Sequence, residues 1–117
     1  APGMLIKSME KIYKEPHMED TLHYFRKSLA NQDKKQILQA RAALNRFHIT
    51  EHLETMNTPT LVLVGDGFGK FAIRMAHKTA NAIPDANFKV LQGGLDPSNR
   101  IVPESFNREV LKFIHST

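Results

Sequence analysis

The sequence predicts an α/β protein, in which short helices precede a strand–helix–strand–helix unit with two parallel strands. Residues 61–64 are an apolar block bounded by turn residues, which is typical of a strand in a parallel sheet that is buried on both faces. A segment with helical periodicity follows and ends at Pro84, and a second strand is expected at residues 88–91. Because parallel strands need a crossover connection such as a helix, these two strands are predicted to pair in parallel.

The first part of the chain, residues 1–57, is predicted to consist of short helices. An apolar stripe at helical spacing runs from Leu5 to Tyr13, and Pro16 ends that segment. The acidic pair at residues 19 and 20 then opens a second helix, at the end where the helix dipole favours negative charge.

A third helix is predicted at residues 36–47, and a short fourth helix at about residues 50–55 leads to the first strand. Asp33, with Gln36 three positions later, resembles a capping box at the start of the third helix. The apolar residues that share one face of this helix are Ile37, Ala40 and Leu44.

The second part of the chain, residues 58–117, supplies the two strands and two longer helices. The helix at residues 70–82 is expected to bury Ile73, Ala76 and Ala80 against the sheet. The last helix begins at Pro103, which suits a first helical turn. Its apolar face, which we expect to belong to the core, consists of Phe106, Val110, Phe113 and Ile114.

Motifs in the second part also carry a family resemblance. They are Pro59-Thr60-Leu61, leading into Val62-Leu63-Val64-Gly65; then Ile83-Pro84-Asp85-Ala86, Val90-Leu91, Ser98-Asn99 and Pro103-Glu104-Ser105-Phe106-Asn107. With these motifs the chain resembles the C-terminal part of an α/β-hydrolase, from within the lid through the last two strands. The length of 117 residues indicates one domain over residues 1–117, and the resemblance implies a lid-like helical part at 1–57 and a β-α-β-α part at 58–117.

The positions that carry catalysis in the family are substituted here. The family's acid lies three residues after the strand-ending glycine, where this chain has Phe68, and Asp96 stands where the family has its histidine. The G-x-S-x-G nucleophile elbow belongs to a strand and helix that this sequence does not contain. Since a serine hydrolase needs a nucleophile, a base and an orienting group together, the resemblance argues for the fold and against the chemistry.

We therefore expect a binding or interaction module without catalytic activity of its own. The family consists of esterases, lipases, C–C hydrolases and their relatives, so one alternative is a hydrolase fragment that takes its serine nucleophile from a partner chain. Another is a truncated product that folds but has no selected activity.

A ligand of an open α/β sheet binds beyond the carboxyl ends of the strands, and two loops are predicted to lie there. The candidate ligand-binding residues in these loops are Gly65, Asp66, Gly67, Phe68, Gly69, Asp96, Ser98 and Asn99. The glycines match neither a Walker A loop nor a dinucleotide fingerprint, because Val64, Phe71 and Lys70 occupy required positions. Their amides can still present N–H groups to an anion, and a flexible strand-to-helix turn is the alternative.

Acid–base and metal chemistry have weaker support. Asp66 and Asp96 are predicted at the same sheet edge, as a catalytic carboxylate pair requires, but each also fits a turn sequence of its own. His48 and His52 are spaced as two metal ligands on one helical turn, and the sequence names no third ligand. We expect neither a metal nor a cofactor.

Self-association is predicted from the small size of the sheet. Two parallel strands with apolar residues on both faces do not form a stable sheet alone, and an uncovered apolar edge pairs readily with another chain. We therefore expect a homo-oligomer, most simply a dimer with closed symmetry that joins the first strand to its copy.

Charge and composition bear on the remaining classes of partner. The net charge of +4 is divided as +2 on each side of Thr55 without a dense basic block, so we expect no nucleic-acid binding. The absence of cysteine leaves the redox compartment open. Since no apolar run approaches the roughly 20 residues that span a bilayer, we expect no membrane partner and a cytoplasmic location.

Overall fold

The computed structural model describes residues 2–117 and divides the chain into two compact units, Ala1–His48 and Ile49–Thr117. The described residues form seven α-helices and a two-stranded parallel sheet. The chain is therefore of mixed helix and strand content, as predicted. The prediction of a single domain with a boundary at residue 57 stays a prediction.

The first unit is helical throughout its regular structure. Its elements are α1 (Pro2–Ile12), a 3₁₀ turn (Pro16–Met18), α2 (Glu19–Ala30) and α3 (Lys34–Asn45). Helix α3 begins and ends two residues earlier than predicted. The predicted cap at Asp33 is confirmed: one carboxylate oxygen accepts the N–H of Lys35 at 2.7 Å and that of Gln36 at 3.1 Å. An aspartate at this position satisfies amides that the helix itself leaves without partners.

A small core in the first unit joins α1 to α2. Tyr13 is buried, and its ring packs edge-to-face on Phe25 with 5.5 Å between the centroids. Arg26 of α2 forms a salt bridge with Glu10 of α1 at 2.6 Å. The remaining buried residues of this unit are Met18, Thr21 and Leu22. None of them belongs to α3, which contributes no buried residue.

The second unit contains the sheet, and its elements follow the predicted order. In chain order they are α4 (Thr50–Leu53), β1 (Leu61–Gly65), a 3₁₀ turn (Asp66–Phe68), α5 (Gly69–Ala82), β2 (Asn87–Leu91), α6 (Ser98–Ile101) and α7 (Pro103–Ser116). Helix α6 was not predicted, because the sequence Asp-Pro-Ser-Asn indicates a turn. Pro103 begins α7 as expected.

The strands β1 and β2 pair in parallel, from Leu61 opposite Asn87 to Gly65 opposite Leu91. The N–H of Asn87 donates to the carbonyl oxygen of Thr60 at 2.9 Å. The backbone N–H and C=O groups alternate in direction along a strand. Those of residues 60, 62 and 64 therefore point toward β2. Those of residues 61, 63 and 65 point to the outer edge of β1.

The sheet is less covered than the sequence indicates. Residues 61–64 are half-buried rather than buried on both faces, and Val90 of β2 is exposed. The prediction that the apolar face of α7 belongs to the core is likewise wrong, because Phe113 is half-buried and Ile114 is exposed. Only two strands are available to support the helices, so apolar side chains that would be covered in a larger sheet retain contact with solvent.

The best-buried residues of the second unit lie around β2 and the segments that follow it. Leu91, at the carboxyl end of β2, retains only 2% of its exposure. The other buried apolar side chains of the unit are Ala80, Ile83, Leu95 and Ile101. Leu91, Leu95 and Ile101 thus support the carboxyl ends of the strands, where the candidate ligand-binding residues were predicted, whereas Ala80 and Ile83 lie near the start of β2.

Candidate functional site

The structure places the first group of candidate residues at the junction between β1 and α5. Gly65 is the last residue of β1 and is buried, and Gly69 is the first residue of α5. Between them Asp66, Gly67 and Phe68 form the 3₁₀ turn, and all three residues are exposed.

The second group follows β2. Asp96 is exposed and is joined to Pro97 by a cis peptide bond. Ser98 and Asn99 lie in α6 rather than in the turn that the sequence predicts. The hydroxyl of Ser98 donates to the carbonyl oxygen of Leu95 at 2.9 Å, so this side chain stabilises its own loop.

Two hydrogen bonds connect these loops. A carboxylate oxygen of Asp66 accepts the N–H of Gly93 at 2.7 Å, and the N–H of Gly67 donates to the carbonyl oxygen of Gly94 at 3.0 Å. As the sequence indicates, Asp66 belongs to its own turn, where its carbonyl oxygen accepts the N–H of Gly69; its side chain also holds the neighbouring loop, which the sequence does not show.

The glycines allow the two backbones to touch. A Cβ atom at Gly65 would lie 2.0 Å from the carbonyl oxygen of Gly94 and 2.7 Å from its Cα. A Cβ atom at Gly67 would lie 2.5 Å from a methyl group of Leu95. Gly93 also has a φ of 70°, a conformation that glycine adopts at little cost. Close packing therefore accounts for Gly65 and Gly67, whereas Gly69 has no atom near its Cβ position and a φ of 78°.

Several amides that the sequence offers to an anion are engaged within the protein. Gly67 donates to Gly94, and the N–H of Gly69 donates to the carbonyl oxygen of Asp66. The carboxylate of Asp66 adds a negative charge beside them. Binding of an anion or small molecule at these residues stays a prediction, but these two amides are not available to it in this conformation.

The histidines do not form the arrangement of metal ligands that the sequence allows. His48 precedes α4, which begins at Thr50 and contains His52, so the two do not share one helical turn as the sequence indicates. His77 of α5 packs edge-to-face on Phe88 of β2, with 5.1 Å between the rings. Within residues 2–117, no group of three or more His, Cys, Asp or Glu side chains is arranged to hold a metal ion.

A cavity of about 290 Å³ lies at the opposite end of the sheet, beside the amino ends of the strands. Its walls come from residues 56–60, Pro84, Asp85, Asn87 and two residues of the C-terminal segment, Phe113 and Thr117. Sequence reasoning did not find it, because three separate segments of the chain form the walls and no local pattern relates them.

One carboxyl group of α7 has a shifted pKa. Desolvation by burial raises the pKa of Glu109, but the positive charges of Lys112 and Arg108 outweigh it, so the pKa lies below its ordinary value. The Nζ atom of Lys112 lies 3.5 Å and the Nε atom of Arg108 3.4 Å from the same oxygen of Glu109. These interactions stabilise the helix surface and are remote in sequence from the loop junction.

The outer edge of β1 is a second candidate for function. In the part of the chain that the structure describes, β1 has a neighbouring strand on one side only. Its sequence, Leu-Val-Leu-Val-Gly, contains neither a charged residue nor a proline. Natural proteins use such residues to prevent edge strands from pairing, so this edge lacks the common protection against a further strand.

Comparisons with protein-family models, with curated proteins and with solved structures found no match to this chain. Among the helices described, none combines the length and the apolar character needed to cross a bilayer.

Proposed function

We propose that this chain is a non-catalytic, α/β-hydrolase-like interaction module that self-associates through the outer edge of β1. The observation that supports the proposal is an apolar strand, paired on one side, whose side chains are half-buried and whose edge carries no charge or proline. Pairing with a second copy would satisfy its backbone groups and cover its side chains at the same time.

The directions of the backbone groups define how two copies would pair. Residues 61, 63 and 65 direct their N–H and C=O groups outward and are spaced evenly about Leu63. A two-fold axis at Leu63 would join the strands antiparallel, with Leu61 opposite Gly65 of the partner subunit. This arrangement gives about six hydrogen bonds between the copies and a continuous four-stranded sheet.

The absence of catalysis in this proposal rests on the loop junction. Phe68 and Asp96 occupy the positions where the family resemblance implies an acid and a histidine. The carboxylate of Asp66 is engaged with Gly93, and the hydroxyl of Ser98 with Leu95. The polar groups of these loops thus serve to hold the two loops in place.

Sedimentation of the purified chain at micromolar concentration tests self-association. We expect a dimer whose proportion falls on dilution, and a monomer at every concentration in this range would contradict the proposal.

An assay with a short-chain nitrophenyl ester tests the alternative, a hydrolase fragment that needs a partner chain for its serine. We expect no turnover above buffer. Turnover that a serine-directed inhibitor abolishes would reject the non-catalytic assignment, even if the chain proved to be a dimer.

A further inference from the structure

Helix α3 presents an apolar seam that the other elements of the first unit leave uncovered. Ile37 is 44% exposed, Leu44 is 68% exposed, and Phe47, in the turn after the helix, is 65% exposed. Within the helix, Ile37, the exposed Ala40 and Leu44 follow one another at intervals of three and four, and Phe47 lies three positions further on, beyond the end of the helix. This is the a/d spacing of a helix that packs along one other helix.

Little within the chain stabilises α3. The Asp33 cap holds its first turn, and the N–H of Phe47 donates to the carbonyl oxygen of Leu44 after its last turn. The helix has 12 residues and buries none of them. Since helices shorter than about 12–15 residues are marginal in water without packing, a partner along the seam would stabilise it.

The same segment carries an excess of positive charge. Four of the 16 basic residues lie between positions 34 and 48, where there is no acidic residue, and the other 12 basic residues balance the 12 acidic ones. The basic residues of this segment are Lys34, Lys35, Arg41 and Arg46. The even division of charge between the two halves of the sequence does not reveal this local excess, which is +3 when the capping residue Asp33 is included.

The seam and the charge together select the chemistry of the partner. We infer that α3 is a docking surface for an acidic amphipathic helix of another protein. The partner's apolar residues would pack on Ile37, Leu44 and Phe47, and its acidic residues would face basic side chains such as Arg41, which is next to the seam.

Other occupants fit less well. Two copies of α3 would bring together two segments of charge +4, which repel. A helix that lies in a membrane surface has a strongly polar face opposite its apolar one, whereas α3 carries Leu38, 60% exposed, and Ala42 on another side. A nucleic acid would contact the basic side chains through its phosphates and would leave the apolar seam unused.

The test uses a labelled peptide of about three heptads with Leu at a and d and Glu at e and g. Its glutamates repel one another, so the peptide does not pair with itself. We expect fluorescence anisotropy to show that it binds the full chain and that added salt weakens the complex, because salt screens the charges. Leu44→Asp should weaken binding at least about tenfold, since it places a charge in the seam.

Matched variants separate the two contributions. Arg41→Glu should weaken binding of the Glu peptide and strengthen binding of a peptide with Lys at e and g. Leu111 is an exposed leucine of α7, so Leu111→Asp should change the binding of neither peptide. Circular dichroism of each variant checks that the fold is intact. The inference is overturned if the Glu peptide does not bind, if a scrambled acidic peptide binds equally, or if Leu44→Asp has no effect. It is also overturned if anionic phosphatidylglycerol vesicles, and not the peptide, bind in a Leu44-dependent way.

Discussion

The side chain of Asp66 and the backbone of Gly93, 27 positions apart in sequence, are joined by a hydrogen bond of 2.7 Å. This bond connects the loop after β1 to the loop after β2. Together with the bond from the Gly67 N–H to the Gly94 carbonyl oxygen, it fixes the relative positions of the two loops at the carboxyl end of the sheet.

Replacing the Asp66 carboxylate should therefore destabilise the second unit. Asp66→Ala removes the charged acceptor of this hydrogen bond. We expect the free energy of unfolding to fall by about 1 kcal/mol, which is at the lower end for charge-assisted bonds because the residue is exposed. Asp66→Asn keeps an acceptor and should lose less. Chemical denaturation measures both, and an Asp66→Ala variant as stable as the unmodified chain would show that the bond contributes nothing.

The close approach of Gly65 and Gly94 leads to a second prediction. Gly65→Ala would place a methyl group on the backbone of Gly94, so we expect the free energy of unfolding to fall by about 1–3 kcal/mol or more. Gly3→Ala is the matched control, because Gly3 lies in α1 with no atom near its Cβ position. It should be neutral or stabilising by up to about 1 kcal/mol. Equal effects of the two substitutions would contradict the packing described.

Much of the secondary structure was predictable, because glycine and proline mark its boundaries. The strands β1 and β2 and the helices α5 and α7 all lie where the apolar runs and Pro103 place them. Helix α6 was missed because its first residues follow Asp96-Pro97, and the sequence Asp-Pro-Ser-Asn indicates a turn.

Burial and the site itself were less predictable. The apolar run of β1 and the apolar face of α7 show which side chains favour burial. Whether those side chains are covered depends on how much structure surrounds them. The bond between Asp66 and Gly93 depends on the strand register, which brings distant positions together. The charge on α3 was hidden because its basic residues are spread along 15 positions rather than adjacent.

The lowered pKa of Glu109 gives a prediction on pH. A carboxyl group whose pKa falls on folding stabilises the folded state above its unfolded pKa, and this stabilisation is lost as pH falls through the folded pKa. Glu109→Gln should therefore lower the melting temperature slightly at neutral pH and have progressively less effect as acid protonates the group. High salt should reduce the difference at neutral pH. A difference that grows in acid would contradict the assigned ion pairs.

A change at Leu63 should separate self-association from folding. Leu63→Pro removes an N–H that points away from β2, so the β1–β2 hydrogen bonds remain while the outer edge is blocked. Leu63→Ala removes most of the side chain but keeps the N–H group. We expect sedimentation to show a monomer for the proline variant and a dimer for the alanine variant, with circular dichroism confirming that both are folded. Dimers of equal stability would place the interface elsewhere.

The most direct test of the proposed interface is a disulfide between two different variants. The chain has no cysteine of its own, so any cross-link comes from the introduced residues. With the two-fold axis at Leu63, Val62 of one copy faces Val64 of the partner subunit at about 4.5 Å between Cα atoms, a non-hydrogen-bonded pair. Two copies of Val62 would be about 7–8 Å apart, which is too far for a disulfide.

Val62→Cys chains and Val64→Cys chains should therefore cross-link when they are mixed under oxidising conditions, and neither should cross-link alone. Non-reducing electrophoresis distinguishes the products. A mixture that stays monomeric, or single variants that cross-link as readily as the mixture, would contradict pairing of β1 with its copy.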